Sequence, residues 1–316
     1  MKDILFIKTS SLGDVIHHMP AVTDARRARP DLHLSWVVEE AFAPLARLHP
    51  GVDEVIPVAS RRWRKALSSP ATWREMRTTF AALRTKRYDR IVDTQGLVRT
   101  GLIARIARGE RHGYDRASIR EPMASLFYDV RHSVSRDLHA VERNRRLTAL
   151  ALGYDVQGLP DYGLSRDSYA VAADSYVVFL HATAQARKEW PEESWIALGR
   201  SLGEQGLGIV LPWGTQAERL RSERIAAALP TARVPERMPL DHVAALIAGA
   251  RGVVGVDTGL LHLAAALAVP LVAIFGGSRP KLTGPIGSGP MTVLGAEGAP
   301  PGLDEVRAAV TALIAA

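Results

Sequence analysis

The sequence predicts an α/β protein with two parallel-sheet domains. Short apolar runs of strand length alternate with amphipathic segments, the pattern of repeated βαβ units. The alternation occurs in two copies, and the stretch between them, Gly153 to Ser175 (GYDVQGLPDYGLSRDSYAVAADS), is turn-rich and nearly patternless, which places a linker there. A length of 316 residues suits about two domains of ordinary size.

In chain order, the strand-like runs of the first half are DILFIK, LHLSWVV, DEVIPVA and DRIVDTQ, with helical segments TWREMRTTFAALRTKRY from Thr72 and LHAVERNRRLTALALGY from Leu138. The second half offers YVVFLHA, GIVLPWG, RGVVGVD and PLVAIF, alternating with PEESWIALGRSLGEQG, TQAERLRSERIAAAL and LDHVAALIAGA. Domains are therefore expected over residues 1–155 and 156–316. Ligands of open parallel sheets collect at the carboxyl ends of the strands, where helix N-termini also point. Two facing sheets would form a cleft, and the polar residues just after each apolar run are the ones to interrogate.

Composition removes several chemistries. With no cysteine there is no disulfide framework, thiolate metal site or cysteine nucleophile. MKDILFIKTSSLGD turns polar too soon for a signal peptide, so a cytoplasmic N-terminus is expected. The longest apolar stretch, Leu260 to Phe275, carries His262 and Pro270 and is too short for a membrane span. Charge is asymmetric: residues 1–155 hold 27 Lys and Arg against 18 Asp and Glu, a balance of +9, whereas the remainder holds 13 against 15, a balance of −2. A basic half suits an anionic small molecule, an anionic membrane surface or nucleic acid, but no nucleic-acid recognition motif is present.

Four junctions carry candidate chemistry. In TSSLGD, Gly13 permits a tight turn and Asp14 stands at a helix start, as an N-cap or as a general base at the mouth of a cleft; nothing local separates the two. In GVVGVDTGLLHLAAAL a strand ends at Val256, Asp257-Thr258-Gly259 turns, and His262 follows one helical turn after Thr258, an arrangement suited to a diphosphate at a helix N-terminus. In FLHATAQARKEWPEESW, Thr183, Arg187 and Lys188 precede a helix marked by Pro191, as phosphate ligands or as solvated loop charges. In LPWGTQAE, Glu218 is either a ribose ligand or an exposed first-turn glutamate. The run SRRWRKA is a solvated charged face or an anion-binding patch, with Trp63 beneath the arginine stems or at a membrane interface. GxGxxG, GxxxxGK[ST], HExxH, GxSxG and DxD are all absent, so a diphosphate would be met by Lys, Arg and a helix terminus rather than by a metal held through DxD.

Taken together, these junctions resemble the ADP-heptose:lipopolysaccharide heptosyltransferases, glycosyltransferase family 9, and within it the branch that adds the first heptose to the Kdo region of lipid A. The likeness runs from KTSSLGDVIHHMPAVTDA through WVVEEAF, IPVASRRWRKA, DTQGLVRTGLIAR, REPMASLFY and HAVERNR to LHATAQARKEWPEESW, LPWGT and VDTGLLHLAAAL, nearly the whole chain. It implies the GT-B fold of two facing Rossmann-like domains, the N-terminal one for the acceptor and the C-terminal one for the nucleotide sugar. It implies inverting, metal-independent transfer of heptose from ADP-heptose to Kdo-lipid A, with no cofactor and no nucleic-acid partner, at the cytoplasmic face of the inner membrane. Asp14 is then the general base. Lys188, Thr183, Ala184, Asp257, Thr258, Gly259 and His262 surround the donor diphosphate, and Glu218 and Met238 the nucleoside. Arg61, Arg62, Arg64, Lys65 and Arg120 read the acceptor's carboxylates and phosphates. Ala184 departs from the pattern, which has a second hydroxyl residue there, and so removes one phosphate hydrogen bond. A related transfer to a later heptose or another acceptor, a two-domain solute-binding protein and a nucleic-acid-binding protein are the other readings.

Overall fold

The computed structural model describes residues 2–169, 175–183, 185–277 and 280–314; Ala184 lies outside the described residues. The chain divides into units of residues 1–163 and 164–316. The first unit continues past residue 155 because buried Arg145 gathers the next turn, donating to the carbonyls of Gln157 (2.8 Å) and Gly158 (3.2 Å) while pairing with Asp24 at 2.7 Å.

The first unit carries β1 Lys2–Ile7, α1 Leu12–Ala28, β2 Leu32–Glu39, α2 Ala43–Ala46, β3 Glu54–Val58, α3 Ser60–Lys65, α4 Pro70–Thr85, β4 Arg87–Asp93, α5 Val98–Ile106, β5 Arg108–Tyr114, β6 Val130–His132 and α6 Ala140–Leu152. Its six strands are all parallel, in the order β3-β2-β1-β4-β5-β6. The second unit carries β7 Tyr176–Leu180, α7 Glu192–Gly203, β8 Gly208–Val210, α8 Gln216–Ala227, β9 Ala232–Arg233, α9 Leu240–Ala248, β10 Gly252–Val256, α10 Gly259–Ala266, β11 Leu271–Ile274, α11 Pro280–Thr283, β12 Met291–Leu294 and α12 Leu303–Ile314. Its order, β12-β11-β10-β7-β8-β9, is the same doubly wound topology read from the other edge.

Central strands are apolar end to end because helices cover both of their faces: Ile4 to Ile7 in β1 and every residue of β7 and β10 are buried. The alternation in sequence finds four strands per half, and the structure adds β5, β6, β9 and β12. β6, β9 and β12 are edge strands with one neighbour missing, and β5 lies next to an edge; apolar content falls there, and RGERHGY buries only its last three residues. Gly113 in β5 is required by packing, since a Cβ there would lie 2.2 Å from the Tyr128 ring. In each unit the order reverses between the first and fourth strands, β1 and β4 or β7 and β10. At such switch points the connecting loops part and leave a crevice for ligand. No described helix is long and apolar enough to cross a membrane.

Candidate active site

Leaving β1, the chain buries Lys8 (6% exposed) before the TSSLGD loop. The Lys8 ammonium donates to the Thr94 carbonyl at the end of β4 (3.0 Å) and to Asn144 Oδ1 on α6 (3.4 Å). Burial lowers its pKa, opposed by the nearby Asp14 and Asp93 carboxylates. Helix α1 begins three residues earlier than an Asp14 N-cap would place it. Ser11 is the N-cap and Asp14 occupies the third helical position, so the N-cap reading of Asp14 is corrected. Its Oδ2 instead reaches back to accept from the Ser11 amide (2.7 Å) and hydroxyl (3.1 Å), the acidic half of a capping box.

The loop is clamped from β4. Fully buried Asp93 accepts from the amides of Gln95 (2.9 Å) and Gly96 (3.2 Å) and from the Tyr128 hydroxyl (2.8 Å); burial outweighs these bonds and raises its pKa. Gln95 Oε1 so held accepts from the Ser10 amide at 3.1 Å, and Arg99 donates to the Ser10 hydroxyl at 2.6 Å. Lys8, Gln95, Arg99 and Asn144 were missed by sequence reasoning. The one available signal was a lysine abutting a four-residue buried run, and nothing local says that its ammonium turns inward.

In the second unit the predicted donor residues of two junctions converge. Lys188 ends a short 3-10 turn after β7, and its ammonium pairs with Asp257 Oδ2 at 2.7 Å, both side chains largely buried. Thr183 donates to the Asp257 carbonyl at 3.1 Å, tying the β7 and β10 loops together. Thr258 is the N-cap of α10, Gly259 its first residue, and His262 is buried one turn in. The arrangement gathers an ammonium, a hydroxyl and a helix N-terminus at one switch point, the requirements of an anion site. Pro191 caps α7 rather than opening it. His181, just after β7, is bonded to Ser222 at 2.8 Å and held neutral by burial, its pKa lowered to about 4.

Glu218 closes the capping box of α8: Oε2 accepts from the amides of Gly214 (2.7 Å) and Thr215 (3.1 Å), and the Glu218 amide donates to Thr215 Oγ1 at 3.3 Å. Beside it a cavity of about 440 Å³ lies between Trp213, Arg219 and Glu223 on one wall and Val234 to Arg237 on the other. Glu218 and half-buried Met238 belong to the segments forming these walls without lining the cavity itself. Among the described residues no group of three His, Asp or Glu side chains could hold a metal ion.

The run SRRWRKA forms α3, and its residues separate by role. Trp63 is 4% exposed, packed edge-on to Phe80 at 5.8 Å within the core, so the membrane-interface position does not hold for it. Arg62 is bound by two carboxylates, Glu40 at 2.9 Å and Glu75 at 2.6 Å. Arg61 lies over the Phe42 ring at 5.2 Å, and Arg64 and Lys65 face solvent. Exposed Arg120 comes from the loop after β5, its backbone beside Gly96 at the end of β4.

Two doubly wound units, each presenting polar chemistry at its switch point, define a nucleotide-sugar type of glycosyltransferase architecture. The chain belongs to glycosyltransferase family 9, the heptosyltransferases, whose model matches residues 76–309. It is 46% identical to lipopolysaccharide heptosyltransferase 1 of Salmonella typhimurium over 91% of this chain and 92% of that protein. With the Pseudomonas aeruginosa protein of the same name it shares 47% over 90% of this chain and 81% of that protein. The solved structure of E. coli heptosyltransferase WaaC with ADP superposes with a TM-score of 0.92 at 42% identity, covering 98% of this chain and 99% of that one. E. coli ADP-heptose lps heptosyltransferase II gives 0.80 at 25% identity, over 100% and 99%. The fold is theirs, GT-B, and the protein is a glycosyltransferase.

Proposed function

We propose that the enzyme transfers heptose from ADP-heptose to Kdo on lipid A in lipopolysaccharide inner-core synthesis, with inversion at the anomeric carbon and without a metal ion. What carries the reading is similarity at 44–47% identity to proteins named lipopolysaccharide heptosyltransferase 1 over nine-tenths of the chain. The pairing of Lys188 with Asp257 beside the α10 N-terminus supports the donor half, because a departing diphosphate needs fixed positive potential. The solved structure of E. coli heptosyltransferase WaaC with ADP-2-deoxy-2-fluoro heptose supports the same donor.

In this reading Asp14, on the first unit, takes the proton from the acceptor hydroxyl as its oxygen attacks the anomeric carbon. The glycosidic bond to ADP breaks on the opposite face, and the charge developing on the diphosphate falls to Lys188, Thr183 and the α10 amides on the second unit. Glu218 and Met238 flank the nucleoside. Arg61, Arg64, Lys65 and Arg120 meet acceptor carboxylates and phosphates, and the protein works as a peripheral partner of the inner membrane's cytoplasmic face.

The test is ADP release from ADP-heptose with Kdo-lipid A, in chelator, against UDP- and GDP-sugar controls. Turnover with ADP-heptose alone among the donors is the expected result. Dependence on added divalent metal removes the metal-free mechanism, and a preference for heptosylated core over Kdo-lipid A replaces the acceptor.

A further inference from the structure

The segment REPMASLFY contributes more than Arg120. Its 3-10 turn, Pro122–Phe127, leaves Met123 60% and Leu126 62% exposed, and with about three residues per turn the two side chains point the same way. Gly101 of α5 lies directly beneath Phe127, so close that a Cβ would stand 2.6 Å from the ring; next to it on α5, Leu102 is 49% exposed.

This is a built platform rather than a loose loop. Ala124 and Ser125 are buried, the Ser125 hydroxyl donates to the Pro122 carbonyl (2.7 Å), Arg131 donates to the Ser125 carbonyl (2.9 Å), and Glu121 accepts from the Val98 amide at the start of α5 (2.7 Å). Its surroundings are basic on balance. Among the neighbouring carboxylates Asp129 is paired with Arg111, while Glu121 and Asp115 accept from the Val98 amide and from Ser118 and keep their charge. Exposed Arg105, Arg116 and Arg120 outnumber those two.

We propose that this face seats on an anionic bilayer, Met123 and Leu126 entering the boundary between headgroups and acyl chains while the flanking arginines meet lipid phosphates. Protruding aliphatic side chains suit a medium that deforms around them, whereas a protein partner would need a matching hollow. The inference rests on the peripheral-membrane part of the proposed function and gives it an address.

Sedimentation of the full-length protein with phosphatidylethanolamine–phosphatidylglycerol vesicles tests it, with phosphatidylcholine vesicles as the uncharged control. The parent should bind the anionic vesicles, less at high salt and less on phosphatidylcholine. Met123→Ser/Leu126→Ser should weaken the partition about tenfold or more, with turnover on a detergent-dispersed acceptor unchanged. Leu126→Trp should bind at least as tightly as the parent and show a vesicle-induced blue shift absent from the parent. If the serine variant binds like the parent, or the tryptophan shows no shift, this face is overturned while the membrane reading stands. If the parent binds neither vesicle, the membrane reading falls and the inference with it, in favour of a protein partner.

Discussion

The turns after β1 and β10 look alike in sequence and differ in construction. Each leaves a buried parallel strand, carries one aspartate and opens a helix. After β1 the aspartate lies inside the helix, and its hydrogen bonds go to a residue three positions away. After β10 it precedes the helix, and its carboxylate is bound by a cation 69 residues away. The first arrangement is a local turn against which a buried ammonium has been placed; the second is a tertiary ion pair at a helix terminus. A carboxylate held only by its own turn remains open to a proton from outside, whereas one committed to a lysine serves to place that lysine.

That contrast is broken most severely by Asp14→Asn, which should lower turnover by about two to four orders of magnitude while ADP affinity and melting temperature stay close to the parent's. Asparagine keeps the size and one acceptor oxygen at the third helical position. Near-parent turnover would leave Asp14 as a capping-box residue and nothing more.

Lys188→Ala comes next, with an expected loss of about 10²–10³ in donor kcat/KM, the scale of one lost charge-stabilising donor, unrelieved by magnesium. It also strips Asp257 of this cation. Adding Asp257→Asn should therefore recover stability without recovering donor use, and recovery of both would make the pair purely structural.

Acid should separate the two units. Buried His49 in the first and His181 in the second are held neutral, each with its pKa lowered to about 4, and burial together with the nearby Lys8 ammonium holds His18 well below the ordinary histidine value. The unfolded chain binds protons at these rings near pH 6.5 and the folded chain does not, so stability is full above that value and is lost as pH falls toward 4. The loss should be at most roughly 3 kcal/mol for each of His49 and His181. Asp93, whose pKa burial raises, opposes it, its contribution growing as pH falls toward the ordinary aspartate range. His112 and His132 of the first unit are lowered by burial as well, so four such histidines stand against one and the first unit should open first, as residue-resolved hydrogen exchange between pH 6.5 and 4 would report; the reverse order removes this asymmetry.

The smallest effect is expected for Arg62→Gln. With Glu40 and Glu75 already on its guanidinium, this change alone should leave acceptor KM nearly unchanged, whereas neutralising Arg61, Arg64 and Lys65 together should raise it and flatten its salt dependence. A rise in acceptor KM from Arg62→Gln alone would return that arginine to the acceptor patch.

By itself the sequence determined the features that depend on neighbours in the chain. Strand segments buried on both faces must be apolar, so β7, β10 and the later part of β1 stand out as runs, and TSSLGD and DTGLLH announce helix starts through residues three or four apart. The outer strands β5, β6, β9 and β12 were illegible, because RGERHGY and a two-residue β9 are strands only by virtue of the ladder each joins. Only the tertiary structure decided which charges are spent and which remain. Burial of Lys8 against Thr94 and Asn144, commitment of Lys188 to Asp257 and of Arg62 to Glu40 and Glu75, and withdrawal of Trp63 into the core all join residues at least 13 apart. The physical reason is that desolvation and pairing energies depend on distance in space, which side-chain type and chain spacing do not encode.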